Sequence, residues 1–225
     1  MDKTAYLKNV PLFAEFGRDD LQRLQRIGRI QKFGSGETIF NEDTSGECLY
    51  IVIHGRVKIF TCSGHKKKTL AYLEAGEFFG EMSLLDMEPR SASSIAQELC
   101  ELLVINKKDF RRLLAKHPNI SFQTMKTLSH RLRQADKEIE SLSFENVLGR
   151  IASALLNLAK KYGEDTPQGR RIKMPLNHQE IAELAGTGRE MVSRTLNRFR
   201  RLQCITFDNR RVVIKNPEKL KEWVY

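Results

Sequence analysis

The sequence predicts an α+β chain in three parts: an N-terminal jelly-roll domain, a long helix with a coiled-coil seam, and a C-terminal winged helix-turn-helix domain. Three observations carry that prediction. Short β-prone runs separated by glycines fill residues 28–105, a narrow apolar stripe runs from 125 to 142, and two short helices meet at Gly186 ahead of a hairpin. The boundaries read as 1–118, 119–144 and 145–225.

Taken in order, residues 10–27 read as helical through Phe13, Phe16, Leu21 and Leu24. The clearest strands are Tyr50–Ile53, Val57–Phe60, Thr69–Leu73 and Leu102–Ile105, with turns near Gly34, Gly36, Gly46, Gly55, Gly64 and Gly76. That spacing describes a small barrel or jelly roll. Lys107–Lys116 reads as another short helix. Beyond it, Met125, Leu128, Leu132, Ala135, Ile139 and Leu142 follow a 3-4-3-4-3 spacing. A stripe so narrow is the seam of a coiled coil, so this helix is expected to pair with its copy in a parallel homodimer; packing within the same chain is the alternative.

The last third starts with a helix through Val147, Ile151, Leu155 and Leu158 that ends near Gly163, followed by a loop at 164–171 and a short strand at Ile172. Two short helices come next. Ile181, Ala182 and Leu184 pack the first, Gly186 lets the second cross closely, and Val192 and Leu196 bury the second. Arg189, Glu190, Ser193 and Arg194 then fall on or near the opposite side, where a DNA groove can receive them. An ordinary helical hairpin is the plain alternative. Strands at Cys204–Phe207 and Val212–Ile214 flank Asp208-Asn209-Arg210, a hairpin turn that completes a winged domain and offers Arg210 to phosphates.

Composition agrees with a polyanion partner in that last third. The chain carries 38 Lys or Arg against 28 Asp or Glu, a net charge of +10, and residues 145–225 hold 16 of the basic and 9 of the acidic residues. No apolar stretch approaches the roughly 20 residues that span a bilayer, and the Met1–Thr4 start lacks a signal-peptide core, so a cytoplasmic location without membrane contact is expected. Cys48, Cys62, Cys100 and Cys204 show no Cys-x-x-Cys spacing, and His54, His65, His117, His130 and His178 form no ligand cluster. No metal site is expected.

Residues 76–92 offer a candidate ligand cradle. Phosphate binding needs a tight backbone turn, a fixed guanidinium and a hydroxyl, which Gly80, Arg90 and Ser91 supply, while the Glu81 carboxylate can accept from a ribose hydroxyl. The alternative is a structural turn at Gly80-Glu81 with Arg90 paired to Glu81 or Glu88.

Together these pieces resemble one family, the CRP/FNR transcription regulators, over nearly the whole chain from residue 10 onward. The most specific signatures are Gly80-Glu81-x-Ser83-Leu84 with Pro89-Arg90-Ser91-Ala92, and Arg189-Glu190-x-x-Ser193-Arg194. Gly149-Arg150-Ile151-Ala152 resembles the start of the family's DNA-binding domain. The resemblance implies a cyclic-nucleotide-binding β-roll in which Gly80 and Glu81 hold phosphate and ribose and Arg90 and Ser91 grip the cyclic phosphate. In cyclic-AMP members two adjacent hydroxyl residues on the dimer helix meet the adenine; counting back from Phe144, this chain has Ala135 and Asp136. A carboxylate accepts from guanine N1 and N2, so a guanine nucleotide is as credible an effector as cyclic AMP.

The expectation is therefore a bacterial, homodimeric, sequence-specific DNA-binding regulator, not an enzyme, with a pseudo-palindromic duplex site and, in an activator, RNA polymerase as a further partner. Glu190 and Arg194 take base-edge roles, on TTGA-like or GTGA-like half-sites. Other small ligands, a haem held through His54 or His65, or action without a ligand stay open. A rival of another class is a regulatory subunit whose roll controls a partner protein.

Overall fold

The structure, a computed structural model, describes residues 7–8, 10–13 and 15–224. The Met1–Thr4 start therefore lies outside the described residues. The chain divides into two compact units: Met1–Thr61 with Thr69–Leu132, and Cys62–Lys68 with Arg133–Tyr225.

The first unit opens with a 3₁₀ turn, Pro11–Phe13, and helix α1 (Arg18–Ile27). One helix over 10–27 does not form. The 3₁₀ turn stops at Phe13, and Gly17, extended at φ −69° and ψ 169°, stands as the N-cap from which the second segment starts. Eight strands follow: β1 (Arg29–Phe33), β2 (Thr38–Phe40), β3 (Cys48–His54), β4 (Val57–Ser63), β5 (Lys66–Leu73), β6 (Phe78–Phe79), β7 (Ser93–Ala96) and β8 (Cys100–Asn106). They form two four-stranded sheets, ordered β1-β8-β3-β6 and β2-β7-β4-β5, as a jelly roll does.

The apolar runs of β3 and β8 are buried on both faces. Leu49, Ile51, Leu103 and Ile105 join Leu21, Leu24, Phe110 and Ile120 in one core cluster, while Val52 and Leu102 join Phe33, Val57, Leu73 and Phe79 in the other. Period-two alternation thus serves two cores from one strand. Helix α2 (Met82–Leu85) interrupts the roll between β6 and β7, and α3 (Lys107–Lys116) closes it. Asn106 caps α3 by accepting from the Asp109 amide at 2.9 Å.

Helix α4 (Pro118–Phe144) is the long helix expected from the stripe. The second unit continues with α5 (Val147–Tyr162), β9 (Gly163–Thr166), β10 (Gly169–Ile172), α6 (His178–Ala185), α7 (Arg189–Arg201), β11 (Ile205–Asp208), β12 (Arg211–Ile214) and α8 (Pro217–Lys221). Residues 164–171, read as a loop, are instead a hairpin in the sheet β11-β12-β10-β9. Its strands, Gly-Glu-Asp-Thr and Gly-Arg-Arg-Ile, bury fully only Ile172, so they lack the apolar alternation that marks a half-buried strand.

Asparagine starts three helices of this unit. Asn146, Asn177 and Asn216 accept from Gly149, Glu180 and Lys219 amides at 3.0, 2.9 and 3.0 Å, and at α6 the Glu180 carboxylate returns the bond to the Asn177 amide at 2.8 Å. Gly186 ends α6 at φ +60°, a left-handed conformation that turns the chain straight into α7. Among the described residues, no helix is long and apolar enough to cross a membrane.

Candidate functional site

The cradle is built where β6 runs into α2. Gly80 takes φ +80°, and a Cβ there would stand 2.6 Å from the Arg90 guanidinium, so the position admits only glycine. Arg90 reaches back from the start of the β7 segment. Its Nη1 donates to the Gly80 carbonyl at 2.6 Å and to Ser83 Oγ at 2.9 Å, and its Nη2 donates to the Cys48 carbonyl at 2.7 Å. The guanidinium lies 4.2 Å over the Phe40 ring and 5.8 Å from that of Tyr50, which stacks on Phe79 at 5.3 Å. Burial pulls the Arg90 guanidinium below its ordinary pKa and pushes the Tyr50 phenol and Cys48 thiol above theirs.

Arg90 pairs with neither Glu81 nor Glu88. Glu81, 1% exposed, takes Arg131 of α4 instead: Arg131 Nη1 donates to Glu81 Oε1 at 2.6 Å, and Nη2 donates to the Phe78 carbonyl. Arg131 also lies 5.4 Å from the Phe78 ring. Two buried atoms in this cluster have no hydrogen-bond partner, Glu81 Oε2 and Arg90 Nε. An unsatisfied buried acceptor or donor costs roughly 1–3 kcal/mol, so native proteins rarely keep one without a use. One acceptor and one cationic donor, both buried, fit a ligand that carries a hydroxyl and an anionic group. Ser91 is exposed and donates to Met82 Sδ at 3.5 Å, and Asp136 is exposed on α4.

Along α4 the stripe is largely open in the single chain. Met125, Leu132 and Ile139 are 57%, 64% and 63% exposed, Ala135 and Leu142 are exposed, and Leu128 is half-buried. Phe122, three residues before Met125 and also exposed, adds apolar surface on the N-terminal side of the stripe, one position off its register.

In the second unit, Val192, Thr195, Leu196 and Phe199 bury one face of α7. Arg189, Glu190 and Arg194 stand exposed on the other, where Glu190 and Arg194 approach to 4.0 Å while remaining 93% and 77% exposed. Such a pair is weak and its members are free to reach a partner. Ser193 differs: it is half-buried, with its Oγ 2.7 Å from His178 Nδ1 and 3.2 Å from the Arg189 carbonyl. Arg150 braces the helix pair by donating from Nε to the Ala185 carbonyl and from Nη1 to the Glu145 carbonyl, both at 3.0 Å. At the wing, Asn209 and Arg210 occupy φ +46° and +64°, a two-residue turn of the mirror type that hairpins favour, and Arg210 projects exposed. Arg171 holds that hairpin to β9, donating to Asp208 at 2.5 Å and to Glu164 at 2.6 Å.

Arg131, Tyr50, Phe40 and His178 belong to these sites without having been singled out in the sequence. Arg131 had one signal: it lies one helical turn before Ala135 and so shares its face. His54 and His65, considered as haem ligands, are both exposed, and among the described residues no group of three metal-ligating side chains gathers.

Comparison with known proteins follows the same division. The cyclic nucleotide-binding domain family matches residues 30–117 and the Crp-like helix-turn-helix domain family matches residues 149–223. The chain is 38% identical over 192 residues to the cyclic AMP receptor protein of Thermus thermophilus, covering 85% of this chain and 86% of that one. It is 32% identical to the CRP-like cAMP-activated global transcriptional regulator of Mycobacterium tuberculosis, covering 84% of each. Among solved structures, a mutant of CooA from Carboxydothermus hydrogenoformans superposes with a TM-score of 0.81 at 26% identity, covering 100% of this chain and 97% of that one. The c-di-GMP-responsive regulator CLP of Xanthomonas campestris gives 0.78 at 26% identity, with 88% and 99% covered.

Proposed function

Because the chain belongs to the CRP/FNR family of bacterial transcription regulators, we propose that it is a homodimer whose grip on a two-fold-related DNA site is set by a cyclic nucleotide held between Gly80 and Ser91. The observation that carries this is the buried pair of unmet groups, Glu81 Oε2 and Arg90 Nε. A ribose hydroxyl donates to the first, and a cyclic phosphate accepts from the second. Ser91, exposed beside Arg90, would exchange its weak 3.5 Å bond to Met82 Sδ for the same phosphate. A haem-linked reading through His54 or His65 has no comparable buried group in its favour, since both face solvent.

The relatives name different effectors: cyclic AMP for the Thermus and Mycobacterium proteins, c-di-GMP for CLP. Asp136 in place of a hydroxyl residue can accept from guanine N1 and N2, which keeps a guanine nucleotide as credible an effector as cyclic AMP. On the DNA side, Arg189, Glu190 and Arg194 supply base-edge groups and Arg210 a phosphate contact. Isothermal titration of the purified protein with cyclic AMP, cyclic GMP and c-di-GMP tests the cradle. Saturable binding of one of them at tens of micromolar or tighter is the expected result, and no heat from any of the three overturns it.

A further inference from the structure

We infer that His178 commits the hydroxyl proton of Ser193 inside the DNA-binding unit, so that Ser193 meets DNA as an acceptor only and selects an amine-bearing base edge at one step of each half-site. This rests on the DNA reading proposed above and specifies what that face reads.

The geometry begins with the α6 cap. Asn177 and Glu180 exchange hydrogen bonds across the first turn, which fixes the backbone at His178, the first residue of the helix. From there the ring reaches α7, placing Nδ1 2.7 Å from Ser193 Oγ. The Arg189 carbonyl, one turn earlier on α7, lies 3.2 Å from the same oxygen. A serine hydroxyl has one proton and two lone pairs. With the ring proton on Nδ1, the ring donates to Oγ and the hydroxyl donates to Arg189. With the ring proton on Nε2, the hydroxyl donates to Nδ1. In the first case the ring's donation takes one lone pair, directs the proton to the Arg189 carbonyl and leaves Oγ one lone pair; in the second it leaves Oγ two; in both, DNA meets an acceptor.

That sorts the side of α7 away from its buried face by hydrogen-bonding sense: the exposed Arg189 and Arg194 donate, while the exposed Glu190 and the half-buried Ser193 accept. In the major groove an acceptor matches adenine N6 and cytosine N4 and opposes guanine O6 and thymine O4. Without the histidine, the hydroxyl is held by the 3.2 Å bond to Arg189 alone, a weak back-bond within a helix, and can turn outward to donate. Discrimination at that step then falls.

The test is selection of duplexes from a library of randomised inverted repeats by the full-length protein, without nucleotide and with cyclic AMP, cyclic GMP or c-di-GMP as the conditions, for the wild type, Ser193→Ala, His178→Leu and His178→Asn. Asparagine places an amide atom at the position of Nδ1 and keeps the bond to Ser193. The wild type and His178→Asn are expected to favour adenine or cytosine at one position per half-site. Ser193→Ala and His178→Leu should relax that preference roughly fivefold, the worth of one hydrogen bond, while the other positions hold. A His178→Leu profile equal to wild type at every step, or a His178→Asn profile equal to that of His178→Leu, overturns the inference alone. A wild type that selects no duplex in any condition contradicts the DNA reading itself.

Discussion

Arg90 is a structural brace that the proposed function also makes a ligand contact. Its guanidinium satisfies carbonyls of Gly80 and Cys48 and stacks on Phe40, leaving Nε unmet. Replacement by leucine strands those carbonyls as well as removing the cation. Arg90→Leu should weaken nucleotide binding by about 1.5–3 kcal/mol, the range for a hydrogen bond to a charged group, read by calorimetry. Wild-type affinity with a lowered melting temperature would make Arg90 purely structural. Asp136 carries a second expectation at this scale: Asp136→Ser should move the ranking of ligands toward adenine nucleotides, because a hydroxyl also donates. An unchanged ranking of cyclic AMP against cyclic GMP would show that residue 136 does not meet the base. Gly80, Glu81 and Arg90 were legible in the sequence because they lie within eleven residues of one another. Arg131 was not, since it meets Glu81 from 50 residues away, and His178 meets Ser193 across a helix turn no local pattern marks.

At the scale of elements, what was legible followed burial. β3 and β8 announce themselves because both faces are apolar, and α3 falls on the residues expected of it. β1 has four exposed residues of five and β9 is Gly-Glu-Asp-Thr, so neither carries the pattern that betrays a strand. The seam of α4 is exposed in one chain, as a surface awaiting its copy would be. Leu132→Glu with Ile139→Glu should place unpaired charge in that seam at a cost of roughly 3–8 kcal/mol per dimer. Sedimentation should then show monomer, and a persistent dimer would move the interface elsewhere. Helix α7 and the wing separate by a different measurement. Arg194→Ala should lose about 1–3 kcal/mol on a cognate half-site and little on random duplex, as a base contact does. Arg210→Ala should weaken both duplexes together and reduce the salt slope by about one phosphate. Equal losses on both duplexes for Arg194→Ala would remove its reading role.

For the whole molecule, the net charge of +10 favours DNA over a neutral partner but selects no sequence. On the function proposed above, selectivity comes from paired reading helices, and control from a nucleotide that meets the unmet groups at Glu81 and Arg90. Those two properties are joined in one prediction: the nucleotide that fills the cradle must change the affinity for a specific site by a larger factor than it changes the affinity for random DNA. Linkage makes the effect reciprocal, so bound specific duplex must alter nucleotide affinity by the same factor. The direct measurement is fluorescence anisotropy of a labelled inverted-repeat duplex, obtained by selection, against the purified dimer at fixed salt with each nucleotide in turn. One nucleotide is expected to shift the specific affinity at least roughly fivefold, as for a coupling near 1 kcal/mol, while a scrambled duplex is unaffected and Arg90→Leu abolishes the shift. Identical isotherms with and without every nucleotide that binds the protein would contradict it.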